Sequence, residues 1–137
     1  MQTGDMPNNI KELAIEYNRA FGEGRLDRVT EMLHPNLEFD GTAKPTHGRD
    51  AYMSGLPRLV SILERNELHD VIVEGNRAFI LYDFVTATPA GRVLSGELLT
   101  FDDDGLITRI TLLFDLRRWP EVIAEIQRRA AAAQPAS

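Results

Sequence analysis

Two aspartates stand inside apolar stretches of the sequence and are the first candidates for chemistry. Asp115 lies in LLFDLRRW (112–119), and Asp83 lies in ILYDFV (80–85). A carboxylate in apolar surroundings is costly unless it is paired, exposed to solvent or used. On the wall of a pocket, such a carboxyl group has a raised pKa and is able to move protons. The two stretches therefore raise the hypothesis of acid/base catalysis.

The other polar patterns favour neither a metal site nor a bound cofactor. The sequence contains no cysteine, which excludes disulfides, thiolate catalysis and cysteine metal ligands. His47 and His69 are isolated, although either could reach the mouth of a pocket. The run DDDG at 102–105 lacks the later glutamate of a calcium loop, so it predicts a turn. Because there is no phosphate-binding glycine loop either, we expect no metal and no cofactor.

Composition predicts one acidic, folded domain. The chain has 137 residues, 43% hydrophobic and 26% charged, which fits a single domain over residues 1–137 with its core at about 8–125. A net charge of -6 argues against a nucleic-acid or anionic-membrane partner. Residues 1–9 lack the basic and apolar regions of a signal peptide, and no apolar run reaches membrane-spanning length, so we expect a cytoplasmic location. The tail AAAQPAS (131–137) is expected to fray.

Hydrophobic spacing and turn residues predict an α+β fold. Helical periodicity is expected in four segments: 10–22, 26–33, about 50–64 and 119–132. Asn9 should cap the first of these helices, and Pro57 should kink or split the third. A short strand is expected at 37–41, and a four-strand antiparallel meander over 69–116. Such a chain packs its helices on one face of a curved antiparallel sheet.

Three stretches in this order carry a family resemblance: GRLDRVTEMLHPNLEF at 24–39, GRDA at 48–51 and FDLRRW at 114–119. Over about residues 8–125 the chain resembles the nuclear transport factor 2-like superfamily, which includes SnoaL-like polyketide cyclases, ketosteroid isomerases and limonene-1,2-epoxide hydrolases. GRDA, FDLRRW and the turn ATPAGR (87–92) look most like the epoxide hydrolases. The resemblance implies a cone-shaped fold, a pocket between sheet and helices for a small apolar or polycyclic ligand, and a homodimer.

The resemblance to epoxide hydrolases implies roles for both aspartates. In that family two aspartates flank an arginine, and one activates water while the other protonates the epoxide oxygen. Asp115 and Asp83 match the two acids, but Leu81 stands at the position of the arginine. The tyrosine and asparagine that hold the water fall near Phe39 and Gly41. The acid pair is therefore present without its three polar partners.

The resemblance to ketosteroid isomerases implies a second set of site residues. Tyr17 falls at the family's tyrosine and Glu97 at its acid, the two groups that form an oxyanion hole. The base falls on Gly41, with Asp40 one residue away and so on the opposite face of the strand. A mixed hypothesis places four catalytic side chains around one pocket: Asp115, Asp83, Tyr17 and Glu97. Acids crowded there would push their pKa values apart, which supplies an acid and a base.

Each candidate also has a structural interpretation. Tyr17 has core spacing on its helix, and Asp115 could pair with a following arginine in a turn. Asp83 could pair with an arginine on the outer sheet face, and Glu97 could be a solvated strand acid. In that case the chain is a non-catalytic small-molecule-binding or dimerisation module. The preferred prediction is a cofactor-independent acid/base enzyme for a small apolar molecule, either epoxide hydrolase-like or ketosteroid isomerase- or polyketide cyclase-like.

Overall fold

The computed structural model describes residues 9–41, 44–117 and 119–133. Within these ranges the chain forms five helices and six strands. The helices are α1 (Ile10–Gly22), α2 (Leu26–Glu31), α3 (Arg49–Ser54), α4 (Leu56–Val60) and α5 (Trp119–Ala133). The strands are β1 (Leu33–Asp40), β2 (Thr46–His47), β3 (Leu63–Glu74), β4 (Arg77–Thr86), β5 (Arg92–Phe101) and β6 (Ile107–Phe114).

The six strands form one sheet in the order β2-β1-β6-β5-β4-β3. Strands β3 to β6 follow one another as an antiparallel meander, while β1 pairs in parallel with β6. The register between β3 and β4 shifts twice, and such bulges bend a strand and increase its twist. The prediction of an α+β fold with helices packed on a curved sheet is confirmed.

The core lies between α1 and one face of the sheet, called the inner face here. The N-terminus of α1 is capped by Asn9, whose side-chain oxygen accepts a hydrogen bond from the backbone N–H of Glu12 at 3.3 Å. Side chains alternate along β4, so the residues that pack on the helices are every second one: Ile80, Tyr82 and Phe84. Leu81 and Asp83 consequently lie on the opposite, outer face.

Two boundaries in the middle of the chain differ from the prediction. The helix predicted over 50–64 is two short helices, because Pro57 has no backbone N–H to donate and lies in the first turn of a new helix after Gly55. Strand β3 begins at Leu63, inside that predicted helix, since pairing with β4 overrides the local helical pattern.

The β1–β2 region also holds more strand than predicted. Strand β1 starts at Leu33 rather than at residue 37, and its register against β6 breaks between Leu33 and Glu38. That break contains Pro35, which cannot donate to the ladder. A two-residue edge strand, β2, pairs with β1 inside the segment predicted as a loop.

Some expectations fall at or beyond the ends of the described ranges. Those about residues 1–8 and 134–137 lie outside the described residues, while residues 131–133 of the tail are helical and belong to α5. In the parts of the chain that the structure covers, no helix is long and apolar enough to span a membrane.

Candidate active site

A small pocket lies between the inner face of the sheet and the helices, with a cavity volume of about 60 Å³. That volume exceeds the roughly 10–15 Å³ that a cavity needs to hold one water molecule. Nine of its thirteen described lining residues are Phe, Leu, Val or Trp. The other four bring polar groups to the wall: Tyr52, Tyr82, Ser95 and Glu97. Such a mainly apolar wall with a few convergent polar groups is typical of a small-molecule site.

Glu97 is the one carboxyl group among the described residues that line this pocket. It lies in the middle of β5, opposite Ile80 of β4 and Leu112 of β6, and only 5% of the residue is exposed. Burial disfavours the charged form and raises the pKa of Glu97 to about 7. The hydroxyl of Tyr82 donates a hydrogen bond to Oε2, which opposes part of that rise. Near neutral pH the carboxyl group therefore populates both its protonated and its ionised form.

A pair of tyrosine hydroxyls lies near Glu97. Tyr17 Oη and Tyr52 Oη are 2.7 Å apart, and both rings are buried. Tyr52 lines the pocket, whereas Tyr17 reaches it only through this bond. Burial is the main reason why the pKa of each phenol is raised, and the charge of Glu97 adds to the rise. Both phenols therefore keep their protons at neutral pH and can donate hydrogen bonds.

Trp119 forms one side of the pocket. It is the first residue of α5, and its ring centroid is 4.3 Å from that of Phe114, the last residue of β6. The buried side chain of Val122 anchors α5 in the core. Farther along α5, Nη1 of Arg129 donates to the backbone oxygen of Ser61 at 2.6 Å. These contacts fix the later turns of α5 and place the Trp119 ring, at its first residue, beside the cavity.

Asp83 lies on the outer face of the sheet, in contrast to the prediction that it borders the pocket. Alternation along β4 turns its neighbours Tyr82 and Phe84 inward and Asp83 outward. Its Oδ2 is 3.2 Å from Nη1 of Arg92 and 3.2 Å from Nε2 of His69. The structure thus assigns Asp83 a cross-strand ion pair, the structural interpretation given above.

Asp115 follows β6 and does not line the pocket either. Its carboxylate takes two hydrogen bonds from Nε of Arg117, at 2.9 and 3.0 Å, and one from the Arg117 backbone N–H at 3.0 Å. These bonds from Arg117 lower the pKa of Asp115 to about 2. A carboxylate held in this way stays ionised at neutral pH and stabilises the turn before α5. The predicted Asp83–Asp115 acid pair is therefore not assembled in the pocket.

A sequence profile of the SnoaL-like domain matches residues 14–110. The chain belongs to the SnoaL-like domain family. No curated protein sequence matches this SnoaL-like domain. The profile match confirms the predicted superfamily, whereas the predicted closeness to limonene epoxide hydrolases is not shown.

Solved structures share the fold of this SnoaL-like domain. One is a nuclear transport factor 2-like protein of unknown function from Cytophaga hutchinsonii, at 20% identity and TM-score 0.71, covering 86% of this chain and 100% of its own. A steroid delta-isomerase from Pseudomonas aeruginosa is 18% identical, with TM-score 0.72 and coverage of 93% and 96%. A protein provisionally described as a polyketide cyclase from Xanthomonas campestris is 25% identical, with TM-score 0.62 and coverage of 85% and 96%. Such low identities show a shared fold.

The isomerase base position carries no acid in this SnoaL-like domain. Asp40 is exposed, and it follows Phe39, which lines the pocket, so Asp40 points away from it. A Cβ at Gly41 would lie 2.8 Å from Cζ of Phe39. The Phe39 ring therefore fills the space that a side chain at Gly41 would need. Leu81, at the epoxide hydrolase arginine position, lies on the outer face opposite Gly96.

The remaining polar candidates lie away from the pocket. His69 contacts Asp83 on the outer face, and His47 is an exposed residue of edge strand β2. The 102–105 run forms the predicted turn: Oδ1 of Asp102 accepts the backbone N–H groups of Asp104 and Leu106, each at 2.9 Å. In the described part of the chain, no three His, Asp or Glu side chains are grouped to hold a metal ion.

Sequence reasoning missed three polar residues of the pocket wall: Tyr52, Tyr82 and Ser95. Tyr82 shares its strand face with Ile80 and Phe84, but the opposite face of this strand is apolar as well, so the sequence did not favour one face. Choosing that face as the inner one, and pairing it with Glu97 across the Gly91 turn, would have placed Tyr82 in the pocket. Tyr52 lies on a six-residue helix, which is too short to show a comparable pattern.

Proposed function

We propose that this SnoaL-like domain is a cofactor-independent enzyme in which Glu97 transfers protons on a small, neutral, apolar carbonyl compound. The observation that carries the proposal is the carboxyl group of Glu97 in a mainly apolar pocket, with its pKa raised to about 7 by burial. A group whose pKa lies near the working pH serves well as both acid and base. A relative of the same fold that is described as a steroid delta-isomerase supports this reaction class.

The proposed reaction is a proton shift beside a carbonyl group. Ionised Glu97 takes a proton from the carbon next to the carbonyl, and the electron pair moves to the carbonyl oxygen. Tyr52, itself hydrogen-bonded to Tyr17, donates to that developing oxyanion. Protonated Glu97 then returns the proton to another carbon. The step needs no oxidant, reductant or co-reactant.

This assignment differs from the roles that the family resemblance implies. In ketosteroid isomerases the matching acid stays protonated and donates to the oxyanion, while a separate aspartate is the base. Here Gly41 and the Phe39 ring occupy the place of that aspartate. Glu97 is thus the described lining residue that can accept a proton from carbon, and the donor role passes to Tyr52.

The size and charge of the pocket limit the substrate. No Lys, Arg or His is found among the described lining residues, which disfavours a carboxylate or phosphate in the ligand. A cavity of about 60 Å³ is narrow for a cyclic carbonyl compound, so we expect lining side chains to move on binding. Trp119 is the expected moving part, since it lies at the start of α5, beside the turn that follows β6.

We also propose that two copies associate through the outer face of the sheet. Leu94 and Leu113, on adjacent strands of that face, are 49% and 64% exposed. Next to them the ring of Phe79 lies against Gly96, where an added Cβ would be 2.6 Å from Cζ. The result is an apolar surface at the centre of the sheet, which a second copy would cover.

A second candidate is a ligand-binding module without catalysis. The observation in its favour is that the described pocket wall offers one carboxyl group and no further proton acceptor of similar pKa. A bound ligand would then accept a hydrogen bond from Glu97 or Tyr52 and react no further.

The test is a screen for proton exchange and turnover with wild type, Glu97→Gln and Asp83→Asn. The panel holds small cyclic β,γ-unsaturated ketones, a 3-keto-Δ5 steroid, an aromatic polyketide precursor and a terpene epoxide. Exchange of ketone α-hydrogens in deuterium oxide detects proton transfer even without net product. We expect a loss of about 100-fold or more in Glu97→Gln and no loss in Asp83→Asn. Saturable binding in all three proteins without exchange or turnover would favour the binding module.

A further inference from the structure

Tyr82 and Glu97 are diagonal neighbours on adjacent strands of the inner face. The residue directly opposite Glu97 on β4 is Ile80, while Tyr82 is opposite Ser95. Aromatic and long side chains are able to span such a diagonal. The Tyr82 hydroxyl does so and donates to Oε2 of Glu97. Both residues are buried, so solvent does not compete for this bond.

The other carboxyl oxygen of Glu97, Oε1, differs from Oε2 in its contacts. Among the described residues, Oε1 has no hydrogen-bond partner, and Glu97 is part of the pocket wall. We propose that Tyr82 is a positioning residue: it holds Oε2 and thereby directs Oε1, with the exchangeable proton, into the cavity. The inference rests on the proposed function, in which that proton is the one transferred.

The placement of the proton follows from the direction of the hydrogen bond. Burial raises the pKa of Tyr82 well above its ordinary value, so the phenol keeps its proton and remains the donor. Oε2 of Glu97 is thus an acceptor in both states of the carboxyl group. When Glu97 is neutral, its own proton is on Oε1, the oxygen without a partner. Tyr82 thereby fixes which oxygen reacts.

Among the described residues, the other elements around Glu97 bring no competing hydrogen-bond partner. The charge of Glu97 raises the pKa of Tyr52 on α3 and of Tyr17 on α1, and these two phenols hydrogen-bond to each other rather than to Glu97. On β6 its neighbour is Leu112, which does not titrate. In the described part of the chain, the Tyr82 hydroxyl is thus the one polar contact that opposes the effect of burial on Glu97.

A carbon-13 NMR titration of the Glu97 carboxyl group, without substrate, tests this role in wild type and Tyr82→Phe. Loss of a hydrogen bond that favours the ionised form should raise the titration midpoint by about one to two pH units. Tyr17→Phe is the matched control, because it removes a phenol hydroxyl from the same core without removing a bond to Glu97. Its midpoint should stay at the wild-type value. An unshifted midpoint in folded Tyr82→Phe protein, or an equal shift in the control, overturns the proposal.

A second measurement keeps the test decisive if Tyr82→Phe does not fold. In the wild-type protein, the chemical shift of Tyr82 Cζ should change with pH at the same midpoint as the Glu97 carboxyl signal. The two must move together because the phenol donates to that carboxyl group. A Tyr82 Cζ signal that stays constant while Glu97 titrates would contradict the bond and the role built on it.

Turnover, once a substrate is found, separates this inference from the proposed function. If Tyr82 positions the reacting oxygen, the acid limb of the kcat profile moves to higher pH in Tyr82→Phe, together with the NMR midpoint. A purely structural role would lower kcat equally at every pH and overturn the inference. A shifted NMR midpoint without turnover of any substrate would retain the positioning role and reject the proposed enzyme.

Discussion

The ring of Phe39 lies in the space that a side chain at Gly41 would occupy: a Cβ built on Gly41 would be 2.8 Å from Cζ and 2.9 Å from Cε2 of Phe39. Real Cβ atoms do not approach other carbon atoms so closely, so this relationship excludes an acid at position 41 without movement of the ring. It is the reason why we propose Glu97, rather than an acid at position 41, as the proton carrier of this pocket.

The contact between Phe39 and Gly41 predicts non-additive mutations. Gly41→Asp should lower the free energy of unfolding by about 1–3 kcal/mol, because the new side chain overpacks against the Phe39 ring. In a Phe39→Ala background the same change should cost much less. Urea unfolding of the two single variants and the double variant measures the coupling. Costs that simply add would show that the ring does not occupy that space.

The raised pKa of Glu97 predicts that stability falls as pH rises. The folded pKa is about 7 against an ordinary value of 4.5, so the folded protein binds the proton more tightly than the unfolded chain. Stability is fully present below about pH 4.5 and decreases up to about pH 7, by about 3 kcal/mol in total. Glu97→Gln should lack this decrease and exceed wild type in stability at about pH 8.

Urea unfolding across this pH range checks the sign as well as the size. The other large carboxyl shifts among the described residues are downward: neighbouring arginines lower the pKa of Glu67, Asp115 and Glu125 to about 2. Those groups change stability below their ordinary values and do not mask the window of Glu97. Parallel stability curves for wild type and Glu97→Gln would contradict the burial of an ionisable group at position 97.

Trp119 should report ligand binding directly. It is the single tryptophan of the chain, it lines the pocket, and its ring packs on Phe114. A ligand in this pocket would contact the Trp119 ring, so saturable binding should change the tryptophan emission with the same affinity as calorimetry measures. Trp119→Phe is the control that removes the signal. Calorimetric binding with unchanged Trp119 emission would show that the ligand binds outside this pocket.

The outer face of the sheet should control association. Leu113→Glu places a charge in the proposed interface and should shift a dimer to monomers in analytical ultracentrifugation. Ile123→Glu is the matched control, since Ile123 is also exposed but lies on α5. We expect that control to remain dimeric. A wild-type protein that is monomeric at high micromolar concentration contradicts the proposed interface.

The sequence predicted the helices and strands better than it predicted which face of each strand packs on the helices. Helix α1 begins and ends as predicted, since both its apolar spacing and its Asn9 cap are local signals. The face of β4 could not be chosen because both faces are apolar, with Leu81 on one and Ile80 on the other. Matching by motif put Asp83 in the pocket, where the structure has its neighbour Tyr82. A one-residue slip reverses the face of every side chain on a strand.

The candidate site residues implied by the family resemblance were also placed correctly in part: two lie at or beside the pocket and two lie outside it. The resemblance to ketosteroid isomerases implied Glu97 and Tyr17, and the structure places Glu97 in the pocket wall and Tyr17 behind it, hydrogen-bonded to Tyr52. Asp115 was reached through FDLRRW, a stretch whose arginines also allow a local ion pair. Asp115 bonds to Arg117, only two residues farther along the chain. From the sequence alone, an aspartate in such a local ion pair cannot be distinguished from a catalytic one.

The titration midpoint of the Glu97 carboxyl group in the wild-type protein tests the central claim most directly. Selective carbon-13 labelling of glutamate, with Glu97→Gln to assign the signal, gives this midpoint without any knowledge of the substrate. A midpoint near 7 is the predicted result, because the carboxyl group is buried in an apolar wall with one hydrogen bond to Oε2. A midpoint near the ordinary 4.5 would mean that solvent reaches the group, and Glu97 would then not be the proton carrier of this pocket.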